Sequence, residues 1–180
     1  MAEPQEALPR GWKLLGGTFA LTVLIHLLHE LAHMLVARSF GVSGVMSSNT
    51  VRYTSEMSEA AKIAATAAGP GLMVVFAVAA FLSRWRWAPS VIFIVFAQRA
   101  MAAFFSAFFN LNDEAQVSVL LGLRVGTLFA LTVGVSGLLF VLRYRRDRLG
   151  WKWVGVSFVG FSLGIALVVL GDGTLFRYRF

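Results

Sequence analysis

Residues 26–33 read His26-Leu27-Leu28-His29-Glu30-Leu31-Ala32-His33, inside an apolar run that extends from about Trp12 to Arg38. A helix of about 20 apolar residues is long enough to cross the hydrocarbon of a bilayer. Residues four apart share a helix face, so the imidazoles of His29 and His33 can reach one common point. Glu30 projects about 100° round from His29. Ionisable groups at that depth are costly, and a Glu flanked by two His there marks a functional site. The spacing is that of two metal-ligating imidazoles with a carboxylate between them, placed to act as general base toward a water at the metal.

The rest of the composition agrees with a membrane setting. The chain has 180 residues, 58% of them hydrophobic, and a formal net charge of +7. Its mean hydropathy is +0.74 and its isoelectric point about 10.8. Soluble domains are about 45–50% apolar, so an all-α polytopic membrane protein is expected. Five spans are predicted, at about 12–38, 61–85, 90–109, 117–142 and 151–170, in one transmembrane domain (12–180) behind a polar tail at 1–11. The first apolar run starts too late and runs too long for a cleaved signal peptide. The basic residues gather at the ends of apolar runs, where topology places them, and nothing supports binding to nucleic acid. The chain contains no cysteine, so metal ligands must come from His and carboxylates.

The connections carry their own signals. In the longest, 41–60, Ser47-Ser48-Asn49-Thr50 reads as a turn and Thr50–Thr54 as an extended edge. Ser58 with Glu59 suits the start of the second helix. Early in that span, Gly69-Pro70-Gly71 either kinks the helix or frees backbone carbonyls, and a packing notch and a site-lining role are equally open. Gln98 and Arg99 fall at mid-depth in the third span, and Arg124 falls inside the fourth. For Arg99 and Arg124, pairing with an acid is favoured over contact with a substrate carbonyl or a wet cavity. Arg124 follows Asp113 by three helical turns and is expected on its face. His26 is one turn before His29 and Glu30, placed to stand one contact removed from the metal, to hydrogen-bond Glu30, or to make an interhelical polar contact.

Parity fixes which ends lie together. With five spans, the end of the first span and the knot Asn110-Leu111-Asn112-Asp113-Glu114 share one side of the membrane. The opposite side holds nine basic residues against five, which predicts a cytoplasmic N-terminus. A catalytic zinc takes three protein ligands and leaves a fourth position open. Asp113 is the leading candidate to join His29 and His33, with Glu114 and Asn110 behind it. The competing account of Asp113 and Glu114 is a helix start favoured by the dipole, with Asn112 or Asp113 as N-cap.

Three features together resemble the site-2 protease family of intramembrane zinc metalloproteases: His29-Glu30-Leu31-Ala32-His33 in a span, Ala68-Gly69-Pro70 early in the next, and Phe109-Asn110-Leu111 with a nearby Asp at the end of a later one. The likeness covers roughly residues 20–125. It implies zinc (Zn2+) on His29 and His33, completed by Asp113, with Glu30 as catalytic base and Asn110 holding substrate backbone. It also implies cleavage of peptide bonds in or near transmembrane segments of membrane-protein substrates. The chain departs from the family's Asn-x-x-Pro-x-x-x-Leu-Asp-Gly: it has neither the Pro nor the Gly, and two residues separate Asn110 from Asp113. The family usually opens its site toward the cytoplasm, whereas the charges here favour the other side. No appended domain is read from the sequence, so a minimal, divergent catalytic core is expected, multi-pass in the lipid bilayer of a prokaryotic cell membrane. Assembly as a homo-oligomer stays open.

The competing class is an inactive relative that binds metal or a partner membrane protein without turnover. A bis-His haem bundle fits poorly, because all three histidines lie on one helix. The topology is directly testable. In the cysteine-free background, Asp147→Cys should react with a membrane-impermeant thiol reagent only from the cytoplasm, and Val45→Cys only from outside; the reverse pattern inverts the orientation.

Overall fold

The computed structural model describes residues 7–180, so residues 1–6 of the expected polar tail lie outside the described residues. The chain is an all-α polytopic membrane protein with five helices long and apolar enough to span a bilayer. These are α1 (Gly11–Ser39), α2 (Glu59–Leu82), α3 (Ala88–Phe108), α5 (Thr127–Arg146) and α6 (Trp151–Leu170), with a short α4 (Asp113–Leu120) between α3 and α5. A small sheet of β1 (Gly44–Ser47), β2 (Val51–Tyr53) and β3 (Arg177–Arg179) completes the chain.

The start of α2 falls where its capping chemistry predicts. Ser58 accepts a hydrogen bond from the Ala61 N–H at the start of α2, with Glu59 in the first turn. Pro70 sits inside α2, which continues through it to Leu82, three residues short of the expected Trp85. A proline costs a helix one hydrogen bond, a loss that membrane helices tolerate when neighbours satisfy the freed carbonyl.

The fourth span is the main correction. The sequence predicts one helix over 117–142 with Arg124 inside it; the structure breaks this stretch into α4 and α5. Gly122 adopts φ 68°, the Gly122 N–H bonds the Val119 carbonyl, and the Leu123 N–H bonds the Ser118 carbonyl. That pair of bonds around a left-handed residue is the Schellman closure, and glycine bears it without steric penalty. Arg124 therefore lies in the break, exposed, and the helical reasoning that placed it on the face of Asp113 does not hold.

The sheet has the order β2-β1-β3, with both pairings antiparallel. It bears out the expected extended edge at Thr50–Thr54 as β2 and adds β1 and β3, two strands not among the expected elements. Because β3 follows α6 and β1 follows α1, their pairing puts the ends of those two helices on one side, as the parity of five spans requires.

Packing centres on α1, which lies between α2 and α6. Across the α1–α6 contact, Gly160 and Gly164 meet Thr18 and Thr22. A Cβ on Gly160 would come within 2.7 Å of the Leu15 carbonyl oxygen, and one on Gly164 within 2.7 Å of the Thr22 Cβ. Small residues at this spacing let membrane helices approach closely, and dispersion then holds them together. At the far side of the bundle the buried Arg143 donates to the carbonyls of Ala80, Phe81 and Ser83 at the end of α2 and pairs with Asp147. It caps α2, whose last carbonyls have no partner within the helix. Gly164→Leu should force α1 and α6 apart at a cost of roughly 1–3 kcal/mol, read as a lowered unfolding midpoint in detergent, while Gly155→Leu, in open space on the same helix, should leave it nearly unchanged.

Candidate metal centre

His29, Glu30 and His33 lie at 3%, 6% and 5% exposure on the inner face of α1. The Nε2 atoms of His29 and His33 are 3.1 Å apart. Asp113 Oδ2, at the start of α4, lies 3.1 Å from His29 Nε2 and 3.3 Å from His33 Nε2. One donor atom from each of the three side chains thus converges on a point.

The hydrogen bonding shows what this convergence requires. His33 Nδ1 donates to the Ala65 carbonyl at 2.7 Å; a carbonyl can only accept, so Nδ1 carries the proton. In the neutral ring Nε2 then presents a lone pair. His29 Nε2 can aim one hydrogen at His33 or at Asp113, but not at both, and the remaining atoms face one another lone pair to lone pair. A cation between them removes that repulsion. With bonds of about 2.0–2.1 Å, adjacent ligands on a tetrahedral zinc stand about 3.3–3.4 Å apart, and the observed triangle of 3.1, 3.1 and 3.3 Å is close to one face of that tetrahedron. Two imidazoles and one carboxylate therefore fit zinc in donor type and in size. Burial pushes the Asp113 carboxyl upward, but the hydrogen bonds and charges of the two imidazoles outweigh it and hold the group well below the usual carboxylate range. Asp113 is an anion there.

Neighbouring helices shape the site. A Cβ on Gly69 would stand 2.3 Å from His33 Nε2 and 2.5 Å from His29 Cε1. The small-residue run of α2 therefore lines the site at Gly69, so both imidazoles can approach its backbone closely. Ala65, one turn earlier, supplies the carbonyl that fixes His33. An acceptor on the far nitrogen of a ligating imidazole sets its tautomer and orientation.

Glu30 is not part of the triangle. It faces a cavity of about 1120 Å³ shared with His26, His29, His33 and Asp113. His26 Nε2 is 3.7 Å from Glu30 Oε1, too far for a hydrogen bond. His26 is instead held at both nitrogens: Gln98 Nε2 at 2.6 Å from Nδ1, and Asn49 Oδ1 at 3.1 Å from Nε2. Its role is thus an interhelical polar contact at the cavity wall. Asn49 is fastened in turn, its N–H donating to Asp172 Oδ1 at 3.1 Å, while the Ser48 hydroxyl donates to the Val168 carbonyl at 2.9 Å. Burial is the largest single influence on Asp172 and raises it, but hydrogen bonds from Ser47, Asn49 and Thr50 and the charge of Arg52 together outweigh it and lower the carboxyl. The fastening therefore holds at neutral pH and loosens only as pH falls through that depressed value.

The other expected residues separate. Glu114 turns away from the triangle and pairs with Arg99, the favoured account of Arg99. Asn110 is exposed and outside the cavity wall, which Asn112 joins instead. Arg124 lies outside that wall as well. Sequence reasoning did not single out Tyr53, on β2, which also faces the cavity. Burial and the nearby charges of Asp113 and Glu30 push its phenol up to about 12, so it stays protonated and can donate. Farther from the metal triangle the walls are apolar, with Phe93, Phe96 and Phe105 from α3 opposite Phe158, Phe161 and Ile165 from α6.

The chain matches no family model, no curated protein and no solved structure. Gly69 provides the sharpest test of the site's geometry. Gly69→Ala should weaken zinc binding by roughly 10–100-fold in a chelator competition, whereas Gly71→Ala, in open space two residues on, should leave it unchanged.

Proposed function

We propose that the protein is an intramembrane zinc endopeptidase, a minimal and divergent counterpart of the site-2 proteases, which hydrolyses peptide bonds in or near transmembrane segments. The observation that carries this reading is the pairing of the His29–His33–Asp113 triangle with a non-ligating acid, Glu30, on the wall of one membrane-embedded cavity. A site that only stored metal would have no use for that buried acid.

Zinc at the triangle supplies a Lewis acid that polarises a carbonyl and makes a water more acidic at neutral pH. The chain does the rest. Glu30 accepts the proton released as water attacks the scissile carbonyl and returns it to the leaving amine nitrogen. Tyr53, protonated and facing the same cavity, supplies a donor for charge that develops on the carbonyl oxygen. The phenylalanines of α3 and α6 exclude water and receive apolar side chains of the substrate.

A helical peptide bond is shielded by its own hydrogen bonds, so a substrate must be locally unwound before it is cut. β2 offers a means. It is an edge strand with Val51 and Tyr53 on the cavity wall, and an extended peptide can add to such an edge. By the charge distribution the N-terminus is cytoplasmic and the site opens toward the opposite face of a prokaryotic cell membrane.

Glu30→Gln separates hydrolysis from metal binding. The variant should retain zinc at the wild-type ratio while cleavage of single-span membrane proteins reconstituted with it falls by roughly 10²–10⁴-fold. Undiminished cleavage, or a wild-type protein purified without zinc affinity, would sink the proposal.

A further inference from the structure

Asp113 is the only member of the triangle that does not belong to a membrane-spanning helix. It begins α4, eight residues long, and a helix that short has little stability of its own. Something else must keep its carboxylate within hydrogen-bonding distance of α1.

The residues on either side of Asp113 do so. Before it, Asn112 donates through Nδ2 to the Ala102 carbonyl at 2.8 Å and through its N–H to Ser106 Oγ at 2.9 Å, both on α3. After it, Glu114 is 1% exposed and Arg99 of α3 is 3% exposed. Arg99 Nη1 donates to Glu114 Oε1 at 3.0 Å, and the Thr132 hydroxyl of α5 approaches the same oxygen at 3.3 Å. Successive helical residues project about 100° apart, so Glu114 can face α3 and α5 while Asp113 faces α1. Breaking such a pair by removing one partner leaves an uncompensated buried charge, which is strongly unfavourable.

We infer that Arg99 and Glu114 are positioning residues: their buried ion pair, braced by Thr132, anchors α4 so that Asp113 completes the metal triangle. The inference rests on the reading of His29, His33 and Asp113 as metal ligands. The pair sets how tightly metal is held without touching it. Neither residue enters the triangle, because Glu114 turns its Oε1 to Arg99 and Thr132 on the far side of α4.

The test removes both charges together, so that no buried charge is left alone. In Arg99→Met/Glu114→Gln, spin labels at cysteines replacing Leu35 on α1 and Val119 on α4, both exposed, report the α1–α4 distance without metal. The distribution should be narrow in the otherwise wild-type chain and broad in the double variant, and zinc affinity should fall roughly 10–100-fold with helicity retained. An unchanged distribution with zinc affinity within twofold of wild type would overturn the proposal. Should the double variant fail to fold, Thr132→Val, which removes one hydrogen bond and no charge, carries the same measurements: a severalfold loss of zinc affinity supports the clamp and an unchanged value overturns it. A wild-type chain that binds zinc but cuts nothing fails the protease reading while leaving both measurements of the clamp intact.

Discussion

Polar groups inside a bilayer have no water to turn to, and each must find a partner within the protein. The arrangement around α1 follows from that constraint. His33 finds the Ala65 carbonyl, His26 finds Gln98 and Asn49, and Arg99 finds Glu114. With those contacts made, His29 Nε2, His33 Nε2 and Asp113 Oδ2 converge and point at one another. The partners lie on α2, α3, α4 and the turn at 48–50, so these polar contacts tie α2, α3 and that turn to α1 and α4 to α3.

The division of labour between the two ends of the bundle has the same origin. On the side of the metal triangle, short elements crowd together: α4, the sheet and the turn at 48–50. On the other side Arg143 stitches α5 to the end of α2, and between the ends the aromatic cluster of Phe93, Phe140, Trp153 and Phe161 fills the core. Close backbone approach at Gly160 and Gly164 binds α6 to α1, whereas α3 and α6 meet through the rings of Phe93, Trp153 and Phe161 and otherwise line the cavity. The firm contact and the open one therefore share a helix, and α6 is both buttress and wall.

How much of this was legible in the sequence depends on the range of the interaction. Spans one, three and five follow from hydropathy alone, because burial in lipid is a property of each segment by itself. The His-Glu-x-x-His spacing is likewise local to one helix. The break at 121–126 was hidden because Leu121, Leu123 and Val125 keep the stretch apolar; its signal was Gly122, which needs tertiary context before it reads as a stop rather than a tolerated glycine. Asp113 and Glu114 could not be told apart by residue type, since only the direction each takes from α4 decides which meets α1. Asn110 was carried from a family pattern that this chain compresses, and the shortened spacing moves the inward-facing amide to Asn112. β3 carries a local signal, because Phe176-Arg177-Tyr178-Arg179-Phe180 alternates aromatic and basic residues at the strand period, but its pairing does not: its partner strand follows α1, far away in the chain.

That late strand bears on how the protein is made. The turn that carries Asn49 is secured by Asp172 and Val168, and β1 is paired by β3, so the roof over Glu30 is built from an early segment and from ones synthesised more than a hundred residues later. A nascent chain still lacking residue 172 already holds His29, Glu30, His33 and Asp113. Its cavity would remain unroofed until α6 has crossed the membrane and delivered its carboxylate. Closure of the cavity is thereby tied to insertion of α6, so that a chain still emerging from the translocation machinery would carry the His29–His33–Asp113 triangle without a finished chamber.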